Sequence, residues 1–117
     1  MTLEQLADSI GAAVQTPGTG TGIDVDQVYA GDRISDLLNA AGDHALLVSN
    51  LAGGHLTRVA ELMDIPGICL VQGQTPDADM TAAARGHGTL LMVSPVGLFE
   101  TCGRIYRALS QREAGQG

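Results

Sequence analysis

Three nearly uninterrupted apolar runs, Ala45-Leu46-Leu47-Val48, Ile68-Cys69-Leu70-Val71 and Thr89-Leu90-Leu91-Met92-Val93, constrain the fold of this chain more than any other feature. A strand with one face in water alternates apolar and polar residues. A run that is apolar at nearly every position needs cover on both faces, as strands have in a parallel sheet layered between helices. The segments between the runs show helical spacing, each switch marked by Gly, Asp, Ser or Pro, so the chain reads as alternating β and α.

In chain order, Leu3, Leu6, Ala7, Ile10 and Val14 recur at helical spacing, and Thr2 with Gln5 three residues on forms a capping box. The Thr16-Pro17-Gly18-Thr19-Gly20-Thr21-Gly22 stretch reads as a surface loop. It follows a helix, precedes a strand-like segment and lacks a Gly-Lys-Ser/Thr ending, all contrary to a phosphate-binding loop. Residues 25–30 then read as a strand, and Asp32 caps a helix with Ile34, Leu37, Leu38 and Ala41 on one face. His44 to Ser49 is a buried strand, followed by a Gly53-Gly54 turn and a helix with Leu56, Val59, Ala60 and Met63 inward. Strands over 68–71 and 89–93 enclose a helix from Asp77 to about Arg85, and Val96, Phe99, Cys102, Ile105, Tyr106 and Leu109 mark a final helix. The expected architecture is a three-layer α/β domain with a mostly parallel sheet. It spans residues 1–112, with a polar, flexible tail over 113–117.

With 117 residues, 44% of them apolar, the chain is sized for one domain around one core. Thirteen acids against six bases give a net charge of −7, which opposes binding to nucleic-acid phosphates. All six bases are arginine, at 33, 58, 85, 104, 107 and 112. With no lysine there is no P-loop lysine, no kinase-type strand lysine and no Schiff base. One Phe, two Tyr and no Trp argue against base-stacking platforms. No apolar run is long enough to span a membrane and the first segment is acidic and amphipathic, so a soluble, cytoplasmic protein is expected. Cys69 and Cys102 lie in apolar runs, where a small buried thiol is the ordinary role.

Ligands of open parallel sheets bind outside the carboxyl ends of the strands. That rule selects Gly31, Asp32 and Arg33 after the first strand, Ser49, Asn50, Gly53, Gly54 and His55 after the second, Gln72, Gly73 and Gln74 after the third, and Ser94 after the fourth. Two glycines before a helix expose backbone N–H groups to an anion, favoured there by the helix dipole. The same glycines also permit a tight turn with Asn50 as cap. Arg33 is the base placed to pair with an anion or a partner carboxylate, and His55 can donate to a phosphate or carboxylate. His44, His55 and His87 lack metal-ligand spacing, and neither Ser49 nor Ser94 lies in a nucleophile elbow. No metal, cofactor or catalytic residue is expected.

The run Val28-Tyr29-Ala30-Gly31-Asp32-Arg33-Ile34-Ser35-Asp36-Leu37-Leu38, then LLVSN, His55 to Leu62, Ile65 to Leu70, Thr75-Pro76-Asp77 and the terminal PVGLFETCGRIY segment resemble the DRTGG domain family over nearly the whole chain. Gly53-Gly54-His55 replaces the family's acidic-basic pair, and Val71-Gln72-Gly73 replaces its Thr-Gly-Gly turn. The resemblance implies a fold like the N-terminal domain of HPr kinase, without the kinase's catalytic module. It also implies a non-catalytic regulatory role, frequently as a homodimer, in stand-alone forms that accompany iron-only hydrogenase components in anaerobes. The function expected is sensing of a small anionic metabolite or nucleotide at the βα loops. Its alternative is a docking module for a redox or kinase partner without a small-molecule ligand, steered by the acidic surface.

Overall fold

A computed structural model describes residues 1–16, 24–25, 27–31, 45–50, 58, 60–62 and 64–116, with side chains described through Gln111. Its elements are α1 (Leu3–Ile10), β1 (Ala13–Thr16), β2 (Gln27–Ala30), β3 (Ala45–Ser49), β4 (Gly67–Leu70), α2 (Ala78–His87), β5 (Leu90–Val93) and α3 (Leu98–Gln116). They build a five-stranded sheet of order β1-β5-β4-β3-β2. The four strands β2 to β5 are parallel, and β1 pairs antiparallel with β5 at the edge.

The apolar runs do what their pattern requires. Along β3, Ala45 and Leu47 belong to one core and Leu46 and Val48 to the other. Ile68 and Leu70 against Cys69, and Leu91 and Val93 against Leu90 and Met92, alternate in the same way. Met80 and Ala84 of α2, with Ala60 and Ile65, cover the first face. Leu3, Leu6, Ala7 and Ile10 of α1, with Ile105 of α3, cover the second. The three-layer, mostly parallel α/β architecture follows from burying both faces of the central strands.

The Thr2–Gln5 capping box forms as its residues predict: the Gln5 N–H donates to Thr2 Oγ1 at 3.2 Å and the Thr2 N–H to Gln5 Oε1 at 2.9 Å. The helix does not continue to Val14, however. Gly11 adopts φ 74°, a left-handed conformation that glycine reaches without a Cβ penalty, and closes α1 through its N–H to the Ala7 and Asp8 carbonyls. Val14 is instead an exposed position of β1, paired with Met92. Thr16, expected in a surface loop, is the fully buried end of that strand. Its register shifts between Val14 and Thr16, and the Thr16 hydroxyl bridges the irregularity, donating to the Thr89 carbonyl at 3.0 Å and accepting from the Leu91 N–H at 3.1 Å.

Elsewhere the differences are smaller. Asp77 caps α2 as expected, accepting from the Met80 N–H at 2.7 Å, and Gly88 closes it at φ 79°. The last helix continues through Gln116, into the 113–117 segment that the sequence suggests is a flexible tail. Not all of the apolar positions that mark this helix in the sequence turn inward. Thr101 and Ile105 are buried, whereas Phe99 and Tyr106 face solvent, because α3 carries more apolar residues than one core-facing stripe accommodates. The Gly/Thr-rich stretch over 17–22, the helix expected after Asp32, and most of the helix expected around Leu56 to Met63 lie outside the described residues. Of the last, Ala60 is helical and fully buried.

Candidate functional site

The parallel register brings the carboxyl ends of β3, β4 and β5 level, with Ser49 opposite Leu70 and Leu70 opposite Val93. Of the residues selected from sequence, Gly31, Ser49, Asn50, Gln72, Gly73, Gln74 and Ser94 are described. Asp32, Arg33, Gly53, Gly54 and His55 lie outside the described residues.

Backbone bonds knit the turn after β4 to the segment after β5. The Gln72 N–H donates to the Val96 carbonyl at 2.7 Å and the Gly73 N–H to the Ser94 carbonyl at 2.8 Å, while the Ser94 N–H donates back to Leu70 at 2.8 Å. Gln72 at φ 60° and Gly73 at φ 62° are consecutive left-handed residues, and this reversal leaves both exposed beyond the sheet edge. Asn50 is exposed as well.

The two serines differ from these neighbours in being fully buried. Ser94 Oγ lies 2.8 Å from Thr101 Oγ1, which donates its single proton to the Val96 carbonyl at 3.2 Å. Ser94 is therefore the donor to Thr101, and its hydroxyl ties the end of β5 to the first turn of α3. Thr101 gave no local signal in the sequence.

A second feature was missed because β1 was missed. The antiparallel edge strand places Ala13 opposite Val93, so the start of β1 stands beside the carboxyl end of β5. Between them and the turn after β4 lies a cavity of about 250 Å³ whose lining includes Gln15, Gly73, Gln74, Thr75 and Pro95. Gln74 Oε1 is buried with no hydrogen-bond partner among the described residues. A buried acceptor left unpaired costs roughly 1–3 kcal/mol, which a ligand N–H or a trapped water at this atom would recover.

Burial pushes the Cys69 thiol from an ordinary 9.0 up to about 12, the backbone at Ser94 opposing this and neighbouring Cys102 adding to it. Burial also raises the thiol of Cys102, which is only partly enclosed. Because Cys69 keeps its proton in the folded state, its contribution to stability is complete below pH 9 and is lost as the pH rises toward 12. A thiol reagent at pH 8 is expected to modify one cysteine per native chain and two per unfolded chain, with Cys102→Ser abolishing the native reaction. Two equally fast thiols in the native protein would contradict this placement.

Among the described residues, no group of three or more His, Cys, Asp or Glu is placed to hold a metal ion. His87 Nε2 instead lies 3.6 Å from Asp64 Oδ1. No helix among them is long and apolar enough to cross a membrane.

No family model matches the sequence, and no curated protein matches it. Among solved structures, the chain is similar to the CBS and DRTGG domains of the regulatory region of Clostridium perfringens pyrophosphatase, complexed with the activator diadenosine tetraphosphate. The TM-score is 0.76 at 12% sequence identity, over 89% of this chain and 45% of that one. The two share a fold. The present chain spans less than half the length of that structure.

Proposed function

We propose that this chain is a DRTGG-like, non-catalytic regulatory module that senses a small anionic metabolite or nucleotide at the carboxyl edge of its sheet. The observation that carries this reading is the likeness of fold to a regulatory region solved with a nucleotide activator. The exposed Gln72-Gly73 turn and the adjoining cavity support it, since they supply polar groups at the sheet edge where α/β folds bind ligands. In this reading Asp32, Arg33, Asn50, Gly53, Gly54 and His55 complete the site. Arg33 pairs with the ligand's negative charge, and the Gly53-Gly54 turn offers backbone N–H groups to it. Ser94, tied to Thr101, holds the end of β5 beneath this edge, and Ser49 lies buried at the end of β3.

A ligand that binds only the folded state raises stability by mass action, by about 2.7 kcal/mol at a concentration of 100 Kd. Thermal unfolding with diadenosine tetraphosphate, ATP and AMP is expected to show such a rise for at least one of them. Arg33→Ala and His55→Ala are expected to shrink the rise while leaving the ligand-free midpoint unchanged. Equal rises in wild type and both variants would remove Arg33 and His55 from the site, and no rise with any of these nucleotides would overturn the nucleotide reading.

A further inference from the structure

The cavity between β1 and the turn after β4 is uncharged: among the described residues, those lining it carry no ionisable side chain. Val93, Pro76 and Pro95 give it apolar wall, and the proline rings are fixed in shape. Its polar groups include two side-chain amides, Gln15 and Gln74. Gln74 is half-buried as a residue, yet its Oε1 is closed off from solvent and has no hydrogen-bond partner among the described residues. Gln15 is the extra residue of β1. The register passes from Val14 opposite Met92 to Thr16 opposite Leu91, which leaves Gln15 with no residue across from it on β5. A bulge of this kind re-aims a side chain out of the regular ladder, and bulges gather next to ligand sites.

We infer, resting on the sensing role proposed above, that this cavity takes the base of a nucleotide ligand, a planar heterocycle with an exocyclic amine such as adenine, whose N–H donates to Gln74 Oε1. Volume limits the occupant. About 250 Å³ falls below the roughly 300–1,000 Å³ of sites that enclose a whole drug-sized ligand, so the space suits one ring system and not an entire nucleotide.

Charge divides the ligand in the same place. A phosphate among these uncharged walls would lose its hydration without gaining a cation, so the anionic part stays at the open Gln72-Gly73 edge and the neutral ring goes inside. Hydrogen bonding then selects the ring. The atom that lacks a partner is an acceptor, which only a donor can satisfy, and a carbonyl in its place would set two acceptors face to face. A glutamine amide also matches adenine as a pair of bonds, accepting from the amine while its own N–H donates to the adjacent ring nitrogen. Gln15, exposed at the bulge, offers a second amide to the ring edge.

Calorimetric titration of the whole protein with AMP, purine riboside 5′-monophosphate and ribose 5-phosphate tests this assignment. The second probe lacks only the exocyclic amine, and the third lacks the base. AMP is expected to bind the wild type about 5- to 150-fold more tightly than the amine-free analogue, the factor implied by one buried acceptor left without its donor. Ribose 5-phosphate is expected to bind more weakly still. Gln74→Met keeps an unbranched chain of similar length and removes the acceptor. In that variant AMP is expected to fall to the level of the analogue, and the analogue to bind as it does to the wild type. The ligand-free unfolding midpoint of Gln74→Met is expected not to fall, because the substitution removes an unpaired acceptor, and this separates a lost contact from a lost fold. An amine preference that persists in Gln74→Met, or AMP and the analogue binding the wild type alike, overturns the placement of the base while leaving the sensing role standing. Binding of none of the three probes overturns the nucleotide reading and this placement together.

Discussion

Leu47→Ala is expected to remove about 2–5 kcal/mol of stability, the range for truncating a fully buried leucine where the surroundings close only partly over the void. Leu47 lies in the middle of β3, with β2 on one side and β4 on the other, and packs in the core beneath α2. Neighbouring strands are fixed by their ladders, so neither can move inward to fill the space. For a domain whose total stability is about 5–15 kcal/mol, this is the difference between a folded and a marginal protein. Urea unfolding at one fixed protein concentration measures it, as a lower midpoint with an unchanged slope. Val14→Ala provides the contrast. Val14 is just as apolar in sequence but lies half in solvent on the edge strand, and its truncation is expected to change stability by no more than about 0.5 kcal/mol. Comparable losses from the two substitutions would refute the assignment of β3 as central and β1 as edge.

The same contrast explains how far the sequence could be read. β3, β4 and β5 were legible because a strand buried on both faces has no polar alternation to confuse it. Their observed bounds differ from the expected ones by a residue at each end at most. β1 was not legible, since Val14 follows Ile10 at helical spacing and so extends the pattern of α1 by one turn. The corrective signal was local: Gly11 directly after the last helical apolar residue is a helix stop, and it was outweighed by periodicity. At the carboxyl edge, the positions of Ser49 and Ser94 were legible from the strand ends. The burial of Ser94 was not, because it depends on Thr101 from the next helix. The outward turn of Phe99 and Tyr106 was hidden for a related reason. Periodicity gives the faces of a helix, and only packing against α1 and the sheet decides which of two apolar faces is inward.

Thr16→Val is expected to cost about 1–3 kcal/mol although it changes almost no volume. Valine keeps the shape and β-branching of threonine, so packing at the end of β1 survives. What is lost is the hydroxyl that serves the Thr89 carbonyl and the Leu91 N–H together. Both bonds are buried, at the point where the register of β1 shifts between Val14 and Thr16. A methyl group therefore strands a donor and an acceptor at once, away from water. Thr16→Ser retains the hydroxyl while losing the methyl, and is expected to be the milder of the two. Hydrogen exchange gives a local readout: the Leu91 amide should lose protection in Thr16→Val and keep most of it in Thr16→Ser. If Thr16→Val were as stable as wild type with Leu91 still protected, the side chain would not be what closes β1 onto β5. The fifth strand would then have to be held by its backbone ladder alone.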